Sequence, residues 1–490
     1  MPSNKDALFD VEFAADLMSV SKQTVVAWID SGRLNPIAKD ANGNPLFDWD
    51  AFTSFPQVSD MDEAKWKEFT AIKPKRKYKS IELFAGAGGL ALGLAKAGLE
   101  HVLLNEFMPE ACETLRINRP DWKVIEGDVA KIDFRHLKGK VDVVSGGFPC
   151  QAFSYAGNRA GFEDARGTLF FEFARVIKET QPKMFLGENV RGLLTHDGGK
   201  TIATIKSVIA DLGYDLVEPQ VLKAIFYRVP QKRERLLLIG VRKDLAPYFK
   251  FHWPQKAGRM YTVRDALKKG ELFDCDVPPS DGQRYPKRKK EILAMVPPGG
   301  YWRDLPLDVQ KEYMKKSFYL GGGKTGMARR LSWNAPSLTL TCAPAQNQTE
   351  RCHPAESRPL TVREYARIQT FPDEWKFAGT QSVQYKQIGN AVPVNLSYAI
   401  GLSVVDALNH LPQKCWDGKR GLPANITFNY LNDRQRQLPM EQLRLALEKR
   451  KKYKGKKSGK TVAGSKTTSG AKTKKPAAKR PRSVRARYSK

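Results

Sequence analysis

The stretch YKSIELFAGAGGLALGLAKAGLEHVLLNE (residues 78–106) decides the fold. Its apolar segment YKSIELF predicts a buried strand, and the glycines of FAGAGG predict a tight turn. The segment LALGLAKAGL then predicts a helix that leads to a second strand, HVLLNE. A glycine-rich turn between a strand and a helix lets a ligand approach backbone N–H groups at the helix N-terminus. We therefore predict a ligand site at this turn.

The same alternation of strands and helices continues along residues 73–250. Further strand candidates are WKVIEG, VDVVSGG, KMFLGEN and RLLLIGV, separated by helical stretches such as EACETLRIN and GTLFFEFARVIKE. Strands that alternate with helices predict a parallel sheet covered on both faces. The fold class is therefore α/β, a doubly wound, mostly parallel, Rossmann-like sheet.

The chain changes character outside this region. Residues 251–356 are rich in Pro and Gly with scattered aromatic and basic residues, which predicts a small inserted domain of loops and short strands. Helical sequence returns over residues 357–425, so we expect the main domain to resume there. Residues 426–490 form a basic tail that lacks the apolar content for a packed core, and we predict that it is largely disordered.

Residues 1–72 are predicted to form a separate N-terminal unit. FAADLMSVSKQTVVAWIDSGRL (residues 13–34) has apolar residues at helical spacing with a break before Ser21, a plausible N-cap for a second helix. The pattern resembles the helix-turn-helix of excisionase-like and MerR-like modules, with NGNPLFDWDAF as the wing. In that interpretation Lys22, Gln23 and Thr24 open a recognition helix for the DNA major groove. The alternative is a helical hairpin that only packs on the main domain.

Charge indicates the class of partner. The 490 residues carry a formal charge of +30, and the 18 Lys and Arg residues after Glu448 occur without an acidic residue. Such a surplus favours a polyanion such as nucleic acid. The six cysteines lack paired short spacings, which argues against disulfides and a zinc site. We find no run of about 18 apolar residues and no signal peptide, and expect a soluble, cytoplasmic, nucleoid-associated monomer without metal or membrane contact.

The glycine turn alone leaves two cofactors open. Gly86, Gly88 and Ala91 fit a dinucleotide fingerprint, and Glu106 ends the next strand, where a carboxylate could bind ribose hydroxyls. Asp128, in GDV after the third strand, adds an acceptor suited to an adenine amino group. An NAD enzyme therefore has to be considered.

GGFPCQAFS (residues 146–154) separates these alternatives. Cys150 follows the fourth strand, at the sheet edge where ligands bind in such folds. Hydride transfer has no use for this thiol. A thiolate that adds to C6 of cytosine converts the ring to an enamine, which can attack a sulfonium methyl group through C5. The alternative, a buried inert cysteine, fits poorly with a loop that contains Pro149 and Gln151.

Two further segments supply the groups that this chemistry requires. Glu188 in GENV ends the fifth strand, and a carboxylic acid kept protonated by burial can donate to cytosine N3. Arg233 and Arg235 in QKRER offer fixed guanidinium donors for cytosine O2, the catalytic loop or a phosphate. A surface salt-bridge run is the alternative for this segment.

These motifs, in this order and spacing, resemble the DNA (cytosine-5) methyltransferase family of bacterial restriction-modification systems. The resemblance spans roughly residues 77–403 and continues through RPLTVREYARIQTFPDEW (residues 358–375) and GNAVPV (residues 389–394). It implies S-adenosylmethionine as cofactor, a flipped-out cytosine in double-stranded DNA as target, and residues 251–356 as a target-recognition domain. Ala152 is a small departure, since proline is common after PCQ.

The resemblance also assigns roles to residues of this chain. It implies Cys150 as nucleophile, Glu188 at N3, and Arg235 near O2 and the thiolate, with Arg233 beside them. It implies a mobile catalytic loop from Cys150 to about Thr168. The residues expected at the cofactor are Phe84, Ala85, Gly86, Gly88, Gly89, Glu106, Asp128, Val129, Pro149, Leu169 and Asn390.

Two rival functions remain at this point. The first is a tRNA cytosine-5 methyltransferase, because the chemistry motifs do not name the polynucleotide. Against it stand the N-terminal unit and inserted residues suited to reading base edges, namely Lys324, Arg329, Arg330, Trp333, Gln346, Gln348 and Arg351. The second is a DNA-binding regulator, and the two roles can coexist if the N-terminal unit binds the enzyme's own operator.

Overall fold

The computed structural model describes residues 8–40, 43–149, 169–320 and 325–417. The chain divides into two compact units, Met1–Asn432 and Asp433–Lys490, and every described residue lies in the first. Cys150, the loop that follows it, Lys324 and the predicted tail lie outside the described residues.

The described strands and helices follow one another as the alternation predicts. The strands are β1 (Phe9–Asp10), β2 (Ala38–Lys39), β3 (Pro45–Phe47), β4 (Tyr78–Leu83), β5 (Leu99–Glu106), β6 (Val124–Glu126), β7 (Val143–Gly146), β8 (Met184–Asn189), β9 (Tyr214–Leu216), β10 (Gln220–Lys223), β11 (Gln231–Lys232), β12 (Glu234–Arg242) and β13 (Ser337–Leu338). The helices are α1 (Val11–Met18), α2 (Lys22–Asp30), α3 (Pro56–Ser59), α4 (Glu63–Thr70), α5 (Gly89–Lys96), α6 (Pro109–Asn118), α7 (Leu169–Thr180), α8 (Lys200–Asp211), α9 (Val263–Leu267), α10 (Lys287–Ala294), α11 (Leu307–Met314), α12 (Val362–Ile368), α13 (Gln381–Asn390) and α14 (Val394–Asn409).

The central sheet has the order β10-β12-β8-β7-β4-β5-β6, with β9 paired to β12. The five strands from β8 to β6 are parallel, whereas β12 runs antiparallel to β8, β9 and β10. The predicted α/β sheet is thus confirmed, and its antiparallel edge was not foreseen. Because the carboxyl ends of β4, β5, β7 and β8 meet at one edge, the turn, Glu106, Pro149 and Glu188 are brought together.

Helices cover both faces of the sheet. One apolar core joins β4, β7 and β8 to α5 and α14, and a second joins them to α7 and α8. Gly93 and Gly401 let α5 and α14 approach closely, because a Cβ at Gly93 would lie 2.3 Å from the Ser397 Cβ. Helix α14, which follows GNAVPV, therefore packs against the first helix of the main domain.

One stretch of the described chain, Gln381–Asn409, is long and apolar enough to cross a membrane by length and mean hydropathy (1.5). Its apolar window is 78% buried inside the fold. It comprises α13 and α14, which pack against α12 and α5. Burial of this kind is what a core helix of a globular domain shows.

The N-terminal unit contains the predicted pair of helices. Ser21 caps α2 by accepting a hydrogen bond from the Thr24 N–H at 3.0 Å, which confirms the predicted N-cap. Helix α1 ends at Ser19, which adopts the left-handed conformation (φ 59°). Strand β3 of a three-stranded sheet with the order β1-β3-β2 lies within the segment predicted as a wing.

The predicted inserted region contributes described residues to three apolar cores, and Ala257 and Met260 near its start belong to the core that contains α5 and α14. Ten described residues form a small separate core, namely Ile292, Leu293, Val296, Trp302, Leu305, Val309, Met314, Met327, Ala328 and Cys352. By contrast Val263, Leu331 and Leu340 pack in a core with Tyr365 of α12. The boundaries at 251 and 356 stay a prediction.

Candidate active site

The glycine-rich turn after β4 has the backbone that a ligand site needs. Phe84, Gly86 and Gly88 all have positive φ angles, of 57°, 55° and 84°. For a bulky residue such as Phe84 this conformation is strained, and such strain persists where the surroundings impose it. Gly89 begins α5 close to the segment before α14, because a Cβ there would lie 2.3 Å from the Val392 carbonyl oxygen. The turn thus presents the N-terminus of α5 to a neighbouring space.

Glu106 is held in a fixed orientation at the end of β5. Its carboxylate accepts hydrogen bonds from the Gly86 and Met108 N–H groups, each at 2.8 Å. The first bond ties the strand end to the glycine turn. The remaining lone pairs of the carboxylate are available to hydroxyl donors.

A cavity of about 850 Å³ lies beside this turn. Its lining includes the predicted residues Phe84, Ala85, Gly86, Gly89, Glu106, Pro149, Glu188, Arg233, Arg235 and Asn390. Residues from both ends of the main domain therefore surround one space. The cavity is large enough for a nucleoside-sized ligand and a base together.

Glu188 and Arg235 form an ion pair inside this cavity. Glu188 Oε1 lies 2.5 Å from Arg235 Nε, and the two residues are only 9% and 8% exposed. A Cβ at Gly147 would lie 2.6 Å from Glu188 Oε2, so a glycine in this position makes room for the carboxylate. Paired charges of this kind orient each other in a water-poor site.

The chain just before Cys150 is anchored to the same strand. The Asn189 side-chain amide donates to the Phe148 carbonyl oxygen at 2.8 Å, and Phe148 and Pro149 line the cavity. Cys150 itself lies outside the described residues. Its immediate neighbour is nevertheless beside Glu188 and Arg235.

Comparison with known proteins decides the family. The family model "C-5 cytosine-specific DNA methylase" matches residues 78–406. The type II methyltransferase M.Eco47II of Escherichia coli is 62% identical over 406 residues, covering 83% of this chain and 97% of that protein. M.PspPI of Psychrobacter sp. is 58% identical, covering 84% and 99%.

The chain belongs to the C-5 cytosine-specific DNA methylase family.

It is a cytosine-C5 DNA methyltransferase of the restriction-modification type, as its motifs predict. A crystal structure of a candidate DNA modification methyltransferase from an Escherichia coli prophage aligns with a TM-score of 0.53 at 25% identity, covering 68% of this chain and 100% of that one. This likeness agrees with the α/β fold. Members of the family use S-adenosylmethionine and act on DNA.

Four residues predicted at the cofactor of this methyltransferase do not line the cavity. Gly88 faces Leu115, since a Cβ there would lie 2.7 Å from Leu115 Cδ2. Val129 is buried in the core below α7, and Leu169 packs against the same core. The half-buried Asp128 accepts a hydrogen bond from the Ala130 N–H at 3.0 Å. Direct cofactor contact by these four residues stays a prediction.

Arg233 makes its described hydrogen bonds to the backbone. Its guanidinium donates to the Leu340 carbonyl oxygen at 3.2 Å and to the Gly389 carbonyl oxygen at 3.0 Å. It is 3% exposed, and burial, followed by the nearby Arg235 guanidinium, lowers its pKa. Arg233 therefore ties the segment after β13 to the end of α13, which makes it a positioning residue in the described structure.

Sequence reasoning missed several residues of the cavity. Glu82 of β4 and the segment from Thr339 to Cys342 line it, and the sequence assigned neither of them to the active site. Glu82 is 1% exposed, and burial raises its pKa to about 8. Its only signal in the sequence is a carboxylate within an apolar strand, which is rare without a specific reason. Thr339 reaches the cavity because β13, which precedes it, pairs with β11, and the spacing of residues along the sequence does not reveal this pairing.

Two predictions for the inserted region are wrong. Arg330 and Arg351, expected to read base edges, are 5% and 4% exposed. Their guanidinium groups donate to carbonyl oxygens, among them those of Leu293 (2.8 Å) and Thr339 (2.6 Å). Groups used in this way are not available to DNA. Gln346 and Gln348 are exposed, and Arg329 and Trp333 are half-buried, so base contact by these four stays a prediction.

Proposed function

We propose that this methyltransferase transfers a methyl group from S-adenosylmethionine to C5 of a flipped-out cytosine within a short specific sequence of double-stranded DNA. The reaction proceeds through a covalent bond between Cys150 and C6. One observation carries this proposal: the glycine turn, Glu106, Pro149 and the Glu188–Arg235 pair all line one cavity of about 850 Å³.

The residues of the cavity fit S-adenosylmethionine. Glu106, fixed by two backbone amides, suits the ribose hydroxyls, and the N-terminus of α5 and Asn390 face the same space. When bound, the cofactor supplies an electrophilic methyl group. Pro149 lines the same cavity as the turn and the Glu188–Arg235 pair, so a methyl donor and a base held there would lie close to the residue before Cys150.

The chain's own groups activate the base. The Cys150 sulfur adds to C6, which makes C5 nucleophilic towards the methyl group. A base, for which a water molecule suffices, then removes the C5 proton, and the electron pair of that bond restores the C5–C6 double bond and expels the thiolate unchanged. A proton on the Glu188 carboxyl can be donated to N3, which gives N3 the positive character that addition at C6 requires. Arg235 orients Glu188 from 2.5 Å and has further N–H groups for the cytosine O2.

Sequence recognition is assigned to the inserted region, with the exposed Gln346 and Gln348 as the first candidates for base contacts. The stretch TLTCAPAQNQTERCHP (residues 339–354) is similar to members that read sites flanked by GG and CC. We further propose that the protein is a monomer, that its basic tail associates with the nucleoid, and that the N-terminal unit can bind the enzyme's own operator.

The test is methylation of purified duplex DNA and tRNA side by side with labelled S-adenosylmethionine, followed by bisulfite sequencing. The expected result is a label in DNA only, at one cytosine of one short sequence. Label in tRNA would favour the RNA alternative. Binding to DNA without any label would favour the regulator.

A further inference from the structure

Helix α1 of the N-terminal unit is fixed to the catalytic strands by Lys223 of β10. The Lys223 ammonium donates to the carbonyl oxygens of Asp16 and Leu17, the second at 3.0 Å. These carbonyls lie in the last turn of α1, where backbone acceptors lack partners within the helix. The side chain of Lys223 is only 12% exposed, so the contact is an internal one.

A second lysine contacts the same helix from β11. Lys232 Nζ lies 3.8 Å from Asp16 Oδ2 and 4.4 Å from the centroid of the Phe13 ring. Lys232 is the neighbour of Arg233 in QKRER. Helix α1 also reaches the inserted region, because Thr325 Oγ1 donates to Glu12 Oε1 at 3.2 Å. The N-terminal unit thus meets both the catalytic strands and the inserted region.

A second cavity, of about 390 Å³, lies between α1 and these strands. Phe13, Asp16 and Leu17 of α1 form one side of it. Four residues line both this cavity and the active-site cavity, namely Val190, Arg233, Arg235 and Thr339. The two spaces are therefore adjacent, with the two arginines between them.

The charges of the second cavity favour an anion. Its lining holds five cationic side chains against the carboxylates of Asp16 and Glu234, namely Arg191, Lys223, Lys232, Arg233 and Arg235. Arg233 and Lys223 already donate to backbone carbonyl oxygens, and Glu234 pairs with Arg191 and Lys223, so Lys232 and the remaining N–H groups of Arg191 and Arg235 are the donors left for a ligand. Burial lowers the pKa of Lys223 and of Lys232 and raises the pKa of Asp16, as expected where water is scarce. Lysine and arginine at close range are the donors that proteins use for phosphate oxygens.

We propose that this second cavity binds a phosphodiester of the substrate strand next to the flipped cytosine, with helix α1 as its outer wall. The inference rests on the proposed function, because it places the cytosine at Glu188 and Arg235. The N-terminal unit is then a part of the methylation site, in addition to any separate operator binding. Asp16, which lies beside Lys232, opposes the phosphate and limits its affinity.

The first test is Asp16→Asn in the full chain, measured by binding to a duplex that contains the bisulfite-mapped target. Removing the carboxylate is expected to tighten binding and to steepen the slope of log affinity against log salt by about one. The matched control is Glu218→Gln, which removes an equal charge from an 84% exposed side chain paired with Lys206. An affinity and slope equal to those of the control would overturn the proposal.

The second test neutralises one phosphate at a time. Duplexes that carry a single methylphosphonate near the target cytosine are expected to bind wild type several-fold more weakly at one flanking position. Lys232→Gln should lose this sensitivity, whereas Lys206→Gln should keep it. Wild-type binding that is indifferent to every flanking substitution would contradict the proposal.

Covalent trapping on the same duplex with 5-fluorocytosine separates the two claims. An adduct together with control-like behaviour of Asp16→Asn would refute the phosphate cavity alone. Absence of an adduct would refute the covalent mechanism, while the salt slopes and the methylphosphonate series would still decide whether the cavity binds phosphate.

Discussion

Single residues at the cavity fix the geometry of the catalytic pair. Glu188 and Arg235 come from neighbouring strands, β8 and β12, and meet at 2.5 Å. Gly147 and Asn189 keep the loop before Cys150 beside them. The motifs identified Glu188 and Arg235 from the sequence. The part played by Gly147 could not be predicted, because it depends on a side chain from another strand.

Gly147→Ala is expected to lower methyl transfer on the order of 100-fold. The added Cβ would lie 2.6 Å from Glu188 Oε2 and would therefore displace this carboxylate. Binding of S-adenosylmethionine should change little. Gly270→Ala is the control, because nothing lies within 4 Å of the Cβ position there. Single-turnover kinetics with labelled cofactor measure both variants, and equal rates would show that the position of Glu188 does not depend on Gly147.

Glu188→Gln and Glu106→Gln are expected to have different kinetic defects. The glutamine at 188 cannot transfer a proton to N3, so turnover should fall by roughly 100-fold to 10,000-fold. Replacement of Glu106 should instead raise the KM for S-adenosylmethionine, because that carboxylate belongs to the cofactor end of the cavity. Steady-state kinetics in both substrates distinguish them. Two identical, cofactor-type defects would show that Glu188 is misassigned.

At the scale of elements, strand β4 buries an ionisable side chain, that of Glu82, in the central sheet. Glu82 pairs in register with Ser145 of β7, whose hydroxyl donates to it at 3.3 Å. Burial, with a smaller contribution from Glu188, raises the pKa of Glu82 from its ordinary value of 4.5 to about 8, against the lowering effects of the Ser145 hydroxyl and the Ala91 backbone. The folded protein therefore keeps a proton on Glu82 that the unfolded chain has lost.

This linkage predicts a dependence of stability on pH. The stabilisation from the protonated carboxyl is fully present below a pH of about 4.5 and is lost as pH rises to about 8. The loss is at most about 1.4 kcal/mol per pH unit. Glu82→Gln cannot titrate, so its Tm should fall less than that of wild type across this window. Thermal unfolding at several pH values measures this, with Glu218→Gln as the control. Parallel curves for wild type and Glu82→Gln would refute it.

The elements themselves were largely predictable. The six strand candidates of the main domain all appear, because apolar runs between turns and helices leave few alternatives. The antiparallel pairing of β12 and the close contact of α5 with α14 could not be read from spacing, since they depend on long-range packing. The roles given to Arg330 and Arg351 failed for the same reason: exposure of an arginine is decided by the core around it, not by its neighbours in sequence.

At the scale of the whole molecule, we expect one set of basic residues to bind any DNA and another region to recognise the target sequence. The 18 basic residues after Glu448 occur without an acidic residue, and the sequence predicts no packed core for this segment. The sequence predicts that they are disordered, and disordered basic residues neutralise phosphates without presenting donors to base edges in a fixed geometry. We therefore expect the inserted region to determine which DNA sequence is methylated.

Removal of residues 449–490 should therefore weaken binding to specific and non-specific duplexes alike and flatten the salt dependence. The bisulfite-mapped target should stay the same. Salt titrations of full-length and truncated protein on both duplexes provide the measurement. An unchanged slope of log affinity against log salt would show that the tail hardly touches DNA.

The central claim is that Cys150 forms a bond to C6 of a flipped cytosine held by Glu188 and Arg235. Its most direct measurement is trapping on a duplex with 5-fluorocytosine at the mapped target, because fluorine at C5 blocks the release of the thiol. With S-adenosylmethionine present, wild type should give a complex that survives denaturing electrophoresis. Cys150→Ala should bind the same duplex and give none. A trapped complex with Cys150→Ala, or none with active wild type, would contradict the account.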